Sequence, residues 1–232
     1  MRKIGFIGAY DKIDFIIYLA KIGVVLGKKV LVIDSTINQK AKYIVPKINP
    51  TKSYVTTYEN IDVAVGFENY QEIKQYLGIP DGVDLEYDIA FIDCDNSSSL
   101  SGFELQVAEK NYFVTSFDLF SLNRGLEILS GLTTPMTLTK ILFSKMMTKE
   151  EDDYLNFLAL GYKVVWNNEK IYLPFESGDQ SAIMENQRIA KVKFKNLSVP
   201  YKESLMYLAE EIFKDVKSSN VKKAVKQIEK GV

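Results

Sequence analysis

Histidine is absent from this sequence. That removes every Ser-His and Cys-His nucleophilic mechanism and all His-ligated zinc sites. There is one cysteine, Cys94, so no disulfide can form within the chain. It follows an apolar run and reads as a small core residue rather than a nucleophile. No apolar run approaches the roughly 18 residues that a bilayer span requires. Neither sign of charge prevails. The 29 basic and 30 acidic residues leave a formal net charge of -1, which gives no reason to expect a nucleic-acid partner. Met1-Arg2-Lys3 leads directly into a strand pattern and does not read as a signal peptide, so the cytoplasm is the expected compartment.

What is present suits a single large α/β domain. The 232 residues, 47% of them hydrophobic, are enough to bury a sizeable core. Residues 3–8 (KIGFIG) read as a buried strand. Ile13, Ile16, Ile17, Ala20, Val24 and Val25 then recur at helical spacing over 12–26, and Gly27 offers a stop. Val30 to Ile33 form a second apolar strand ending at Asp34. Continuous apolar strands separated by a helix fit a parallel sheet covered on both faces. Residues 35–60 read as polar and irregular. Further strands are expected at 61–65, 88–93, 111–115, 139–143, 162–165 and 171–173. Helices are expected at 69–77, 119–130, 149–160, 179–187 and 201–216, with a small-residue loop at 96–102. The alternation predicts a doubly wound, mostly parallel sheet with helices on both faces. Residues 1–216 form the expected domain and 217–232 a short basic tail.

The first strand–turn–helix is where a phosphate-binding loop would sit. Such a loop needs glycines for close backbone approach, a lysine for the phosphates and a Ser or Thr hydroxyl for magnesium. Here the turn reads Gly8-Ala9-Tyr10-Asp11-Lys12-Ile13-Asp14. Gly8 and Lys12 fit as remnants, but Ile13 cannot ligate a metal, and no Ser or Thr occurs between Gly8 and Asp34. Asp11 and Asp14 stand where their carboxylates could cap the helix and repel a triphosphate. One like-charge pair at about 4 Å costs on the order of 4 kcal/mol at an effective dielectric near 20. Two readings stay open: a capped core helix at a tight turn with no room for a triphosphate, or a weak, unconventional nucleotide site.

The order of segments resembles the MinD/ParA family of P-loop ATPases over residues 3–216. GKKVLVIDST resembles the family's second strand, and the resemblance places Asp34 near the γ-phosphate, with Thr36 where a second acid often stands. YDIAFIDCD resembles the magnesium-side strand and makes Asp93 the matching acid. NYFVTSFDLFSLNRGLEIL resembles the strand and helix that follow. ILFSK resembles the strand ending in an Asn-Arg pair near adenine, with Ser144-Lys145 in its place. IYLPFESGDQSAIMENQ resembles the late strand, loop and helix flanking the base, with Pro174 and Phe175 in the loop. The Gly-Lys-Gly-Gly loop is missing, and Ile7 stands near the place of its early lysine. The resemblance thus implies the fold together with a vestigial nucleotide site of Gly8, Lys12, Asp34, Asp93, Pro174 and Phe175. It implies no resident cofactor beyond weak ATP and magnesium, and no catalytic residue. Asp34 and Asp93 could equally cap the turns that follow their strands. With Asp95 they could form a loose magnesium site.

Two other surfaces stand out. Tyr43, Tyr54 and Tyr58 fall in the polar stretch, in the region near the family's dimer and partner face. They are either interface anchors or a cover over the edge of the core. The tail places Val221, Ala224, Val225 and Ile228 on one stripe among lysines. That is too little apolar surface for membrane insertion, so a frayed, solvated helix is expected. The functional expectation is a pseudo-ATPase adaptor or positioning factor for a pilus, secretion or conjugation machine. Its partner would be a secretion or pilus ATPase or a membrane complex, with a homodimer also allowed. The alternative is an atypical, weakly active ATPase that dimerises around nucleotide.

Overall fold

The computed structural model describes residues 1–46 and 52–231. Residues 47–51 of the stretch expected to be irregular, and residue 232 of the tail, lie outside the described residues.

Among the described residues eight strands form one sheet: β1 (Arg2–Ile7), β2 (Val30–Asp34), β3 (Tyr54–Tyr58), β4 (Ile61–Val65), β5 (Ile89–Cys94), β6 (Lys110–Thr115), β7 (Met136–Leu142) and β8 (Val164–Tyr172). Their order across the sheet is β3-β4-β2-β5-β1-β6-β7-β8. All neighbours are parallel except β3 and β4. The helices are α1 (Ile13–Val25), α2 (Ala41–Ile44), α3 (Tyr70–Tyr76), α4 (Ser97–Gly102), α5 (Leu119–Ile128), α6 (Lys149–Leu158), α7 (Ser177–Arg188), α8 (Val199–Ile212) and α9 (Ser218–Lys230).

β2 and β5 are buried along their whole length because helices cover both faces. Alternate side chains therefore enter two separate cores. Phe6, Val32, Phe91 and Tyr112 meet α1, α8 and α9 on one face. Ile7, Leu31, Ile33, Ile92 and Phe113 meet α3, α5 and α6 on the other. Cys94 is fully buried in the second core, and burial pushes its thiol up to about 12.

Several elements depart from the sequence expectation. The irregular stretch contains β3, which pairs with β4 through a two-residue turn. Glu59 and Asn60 both have positive φ, 54° and 64°, as a type I′ hairpin turn requires. The alternation Tyr-Val-Thr-Thr-Tyr turns Tyr54 and Tyr58 into the core, so neither is a surface anchor. The expected loop at 96–102 is helix α4, capped by Asn96, whose side chain accepts from the Ser99 N–H. The two expected strands at 162–165 and 171–173 are one strand, β8, with an irregularity in its register against β7 between Leu138 and Lys140. The tail is not frayed. It folds as α9, with Val221, Ala224, Val225 and Ile228 buried against the core. Among the described residues, no helix is long and apolar enough to cross a membrane.

Candidate functional site at the carboxyl edge of the sheet

The parallel strands deliver their carboxyl ends, and the loops that follow, to one edge. Gly8 follows β1 with φ +150°, and a Cβ there would lie 2.1 Å from the carbonyl oxygen of Val114 on β6. A glycine is required by this close approach of two strands, whatever lies above the turn.

Lys12 is the last residue before α1 and is 3% exposed. Its side chain folds back beneath the turn. Nζ donates to the Gly8 carbonyl at 2.8 Å and lies 2.7 Å from Asp93 Oδ1. At that distance the ammonium holds Asp93 Oδ1 as a buried, charge-assisted pair. Burial pushes the Asp93 carboxyl up to about 7. The Lys12 ammonium pulls against that shift, and neighbouring Asp34 adds to it. Asp34 and Asp93 are register partners on adjacent strands, which is why their charges interact.

Asp34 is committed to its own loop. Its carboxylate accepts from the Thr36 hydroxyl and N–H and from the Ala41 N–H at 2.8 Å. Burial raises its pKa, and these donors hold it back. Asp95 Oδ1 accepts from the Ile37 N–H at 2.9 Å and from Asn96 Nδ2 at 3.1 Å. Asp34, Asp93 and Asp95 thus do not converge on one point. Among the described residues no group of three or more acidic or cysteine side chains could hold a metal ion. The loose magnesium site considered from sequence is therefore not formed. Asp34 instead fixes the turn after its strand.

Asp11 and Asp14 do not cap α1, whose N-terminus has no side-chain cap. Both turn toward Lys40, which the sequence did not single out. Its Nζ donates to Asp11 at 2.6 Å and to Asp14 at 2.8 Å. Gln187 on α7 donates to the other oxygen of Asp14 at 2.7 Å. An ion pair outside the helix outcompetes the local cap because each acid meets a full charge rather than a partial one.

Above these residues lies a cleft of about 400 Å³, lined by Ala9, Tyr10, Asp11, Lys12, Thr36, Asn38, Lys40, Tyr43, Asp93 and Asp95. The turn therefore leaves more room than expected. Beside it, a hollow of about 250 Å³ shares Tyr10, Asp11 and Lys40 and adds Phe143, Phe175 and Tyr201. The Tyr10 and Phe143 rings lie 4.4 Å apart, centre to centre, and Phe175 contacts Phe143 and Tyr201. The structure thus brings Gly8, Lys12, Asp34 and Asp93 together and sets Phe175 nearby. Pro174 lines a different hollow, with Tyr172, Pro200 and Tyr207. Tyr10, Lys40 and Phe143 join the site without a motif to mark them. Only their position just after β1, β2 and β7 could have suggested it.

No family model matches the chain, and no curated protein resembles it in sequence. Solved structures do match its fold. A plasmid partition protein from Borrelia burgdorferi B31, bound to AMPPNP, superposes with a TM-score of 0.58 at 14% identity, over 93% of this chain and 99% of that one. A McdA–ATP complex from Cyanothece gives 0.57 at 14%, over 94% and 97%. MinD, a cell-division protein of Aquifex aeolicus, gives 0.54 at 14%, over 94% and 99%. The chain has the ParA/MinD-type P-loop NTPase fold. Within that fold, the described cleft stands above the turn between the first strand and the first helix.

Proposed function

We propose that this ParA/MinD-fold chain is a pseudo-ATPase that serves as an adaptor or positioning factor, with its partner held at the carboxyl edge. The observation that carries the proposal is the buried Lys12–Asp93 pair, at 2.7 Å with both side chains no more than 3% exposed. A lysine bound to its own turn and to an acid beneath it is withheld from a phosphate. The rest of the site does not fit magnesium nucleotide either. Ile13, which follows Lys12, is buried in the core and has no hydroxyl. Asp11, Asp93 and Asp95 line the cleft and would repel a polyanion. Fold neighbours include plasmid partition and cell-division proteins, and a positioning role for a pilus, secretion or conjugation machine extends that theme by analogy.

A second reading keeps one observation in its favour. The uncapped N-terminus of α1 adjoins a 400 Å³ cleft, and free helix N–H groups favour anions. Isothermal titration of the intact protein with ATP and magnesium, together with a steady-state phosphate-release assay, separates the two. The adaptor reading expects no binding heat and no turnover. Turnover that is lost in Lys12→Ala and Asp93→Asn would replace it with an atypical ATPase.

A further inference from the structure

We propose that the chain pairs with a second copy of itself through the free edge of β8, extending the sheet across a two-fold axis. The pairing needs no nucleotide and uses a face other than the carboxyl edge.

The backbone comes first. β8 closes one side of the sheet, with β7 as its only strand neighbour among the described residues. The Leu173 N–H donates to the Leu142 carbonyl of β7 at 2.8 Å. Backbone groups of successive residues along a strand point to opposite sides. Leu173 and Ile171 therefore face β7, while Lys170 and Tyr172 turn their N–H and carbonyl groups away from it. Unpaired groups along an edge strand are a template for another strand, which many proteins blunt with a bulge or with charge. Here the irregularity in register lies after Trp166 and before Lys170, and Lys170, Ile171 and Tyr172 run in step with β7. The charges beside the edge are engaged within the chain. Lys170 pairs with Asp152, and Glu169 accepts from the Tyr207 hydroxyl.

A groove of about 580 Å³ adjoins this edge, between Ile171, Tyr172 and Pro174 on and after β8 and Pro200, Glu203 and Tyr207 on α8. Its tyrosines suit an interface, where such side chains are enriched. The groove also carries one free acid and one free base. Glu203 of α8 and Lys222 of α9 both line it, both are exposed, and neither is in an ion pair among the described residues. These features are self-complementary. A two-fold axis at Ile171 sets Lys170 opposite Tyr172 of the second copy, and Tyr172 opposite its Lys170. Each such pair in an antiparallel ladder exchanges both N–H···O bonds. An isologous contact brings the same patch to both sides. A groove with an unpaired acid and an unpaired base therefore offers a second copy its complement, Glu203 to Lys222 and Lys222 to Glu203. An extended segment of another protein would satisfy the backbone edge alone, whereas a second copy matches it in both register and charge.

The test is sedimentation velocity on the full chain over a concentration series, without nucleotide. A dimer is expected. Glu203→Lys and Lys222→Glu, each alone, set like charges against one another twice across the seam and should weaken association about tenfold or more. An equimolar mixture of these two variants should restore it, because each copy then meets its opposite. Variants that had merely lost their fold would not recover on mixing. Tyr172→Pro removes an N–H that faces away from β7, so the ladder to β7 keeps its bonds. Association should be lost there while the far-ultraviolet circular dichroism stays that of wild type. If that variant does not fold, the mixing experiment at two exposed positions decides the matter. A chain that stays monomeric throughout the series would overturn the proposal. So would a dimer that these variants leave at wild-type strength, or a mixture that stays as weak as its components. The nucleotide titration above is independent of these outcomes, so failure of the adaptor reading shows there as binding heat, whatever the sedimentation gives.

Discussion

At the residue scale, the decisive feature is a lysine buried beside an acid. Removing one partner of a buried pair leaves the other charge without compensation, at a cost of about 3–5 kcal/mol. Lys12→Met should therefore lower the urea midpoint strongly. Lys12→Met with Asp93→Leu should recover most of the loss, because an apolar pair of similar volume avoids the desolvation cost. Equal losses in the single and double variants would mean that the pair contributes packing and little electrostatics. Asp93 also makes a prediction about pH. An ordinary carboxyl titrates at 3.8, and burial carries this one to about 7. Between those values the folded chain holds more protons than the unfolded one. The contribution of Asp93 to stability is then fully present below pH 3.8 and is lost as pH rises through about 7. Asp93→Asn abolishes that slope. The difference in unfolding free energy between wild type and variant, followed from pH 4 to pH 8, should change with pH, and a flat difference would refute the assignment.

At the scale of elements, charge and apolar stripes decide which helices are fixed. Asp152 ties α6 to two strands, with Lys140 of β7 at 2.6 Å and Lys170 of β8 at 2.5 Å. Burial raises its carboxyl pKa, but these two ammonium groups outweigh burial and hold it below the ordinary value. Lys140 is almost fully buried, so Asp152→Ala strands a cation in the core. A loss of about 2–4 kcal/mol is expected in chemical denaturation. A value below 1 kcal/mol would show that water replaces the carboxylate freely. Helix α9 gives the second test. Ile228 is buried against the core, and Ile228→Ala should cost about 2–5 kcal/mol. A tail of no structural consequence would instead leave the melting temperature unchanged.

For the whole molecule, ligand linkage offers a direct measurement. A nucleotide bound at 100 times its Kd stabilises a fold by about 2.7 kcal/mol, and each kcal/mol moves Tm by about 2–4 °C at this chain length. Millimolar ATP with magnesium is expected to leave Tm unchanged to within 1–2 °C, an order-of-magnitude bound on that scale. A rise of about 5 °C or more would restore nucleotide to the site. The sheet order explains why the question concentrates at one edge. With seven strands parallel, their loops emerge together, and residues far apart in the chain, from Tyr10 to Phe175, share two adjoining hollows.

The fold was legible in the sequence because buried parallel strands are continuous apolar runs and their helices carry a 3.6-residue period. Runs such as VLVID and IAFID need no tertiary information to be read. Asp93 could be named as a candidate because it ends such a run, and Lys12 because it stands in the turn that follows the first one. Their pairing was not legible, because it depends on β1 and β5 lying side by side. The partners of Asp11 and Asp14 were equally hidden: local sequence offers the helix N-terminus, and only the folded chain brings Lys40 within 2.8 Å. Whether Tyr54 and Tyr58 were interface anchors or core cover stayed open in the sequence, and the β3–β4 hairpin decided it by turning both inward. Local pattern determines which elements form. Which charges meet, and which aromatic side chains stay in water, is decided by contacts between segments far apart in the chain, and no local period encodes those.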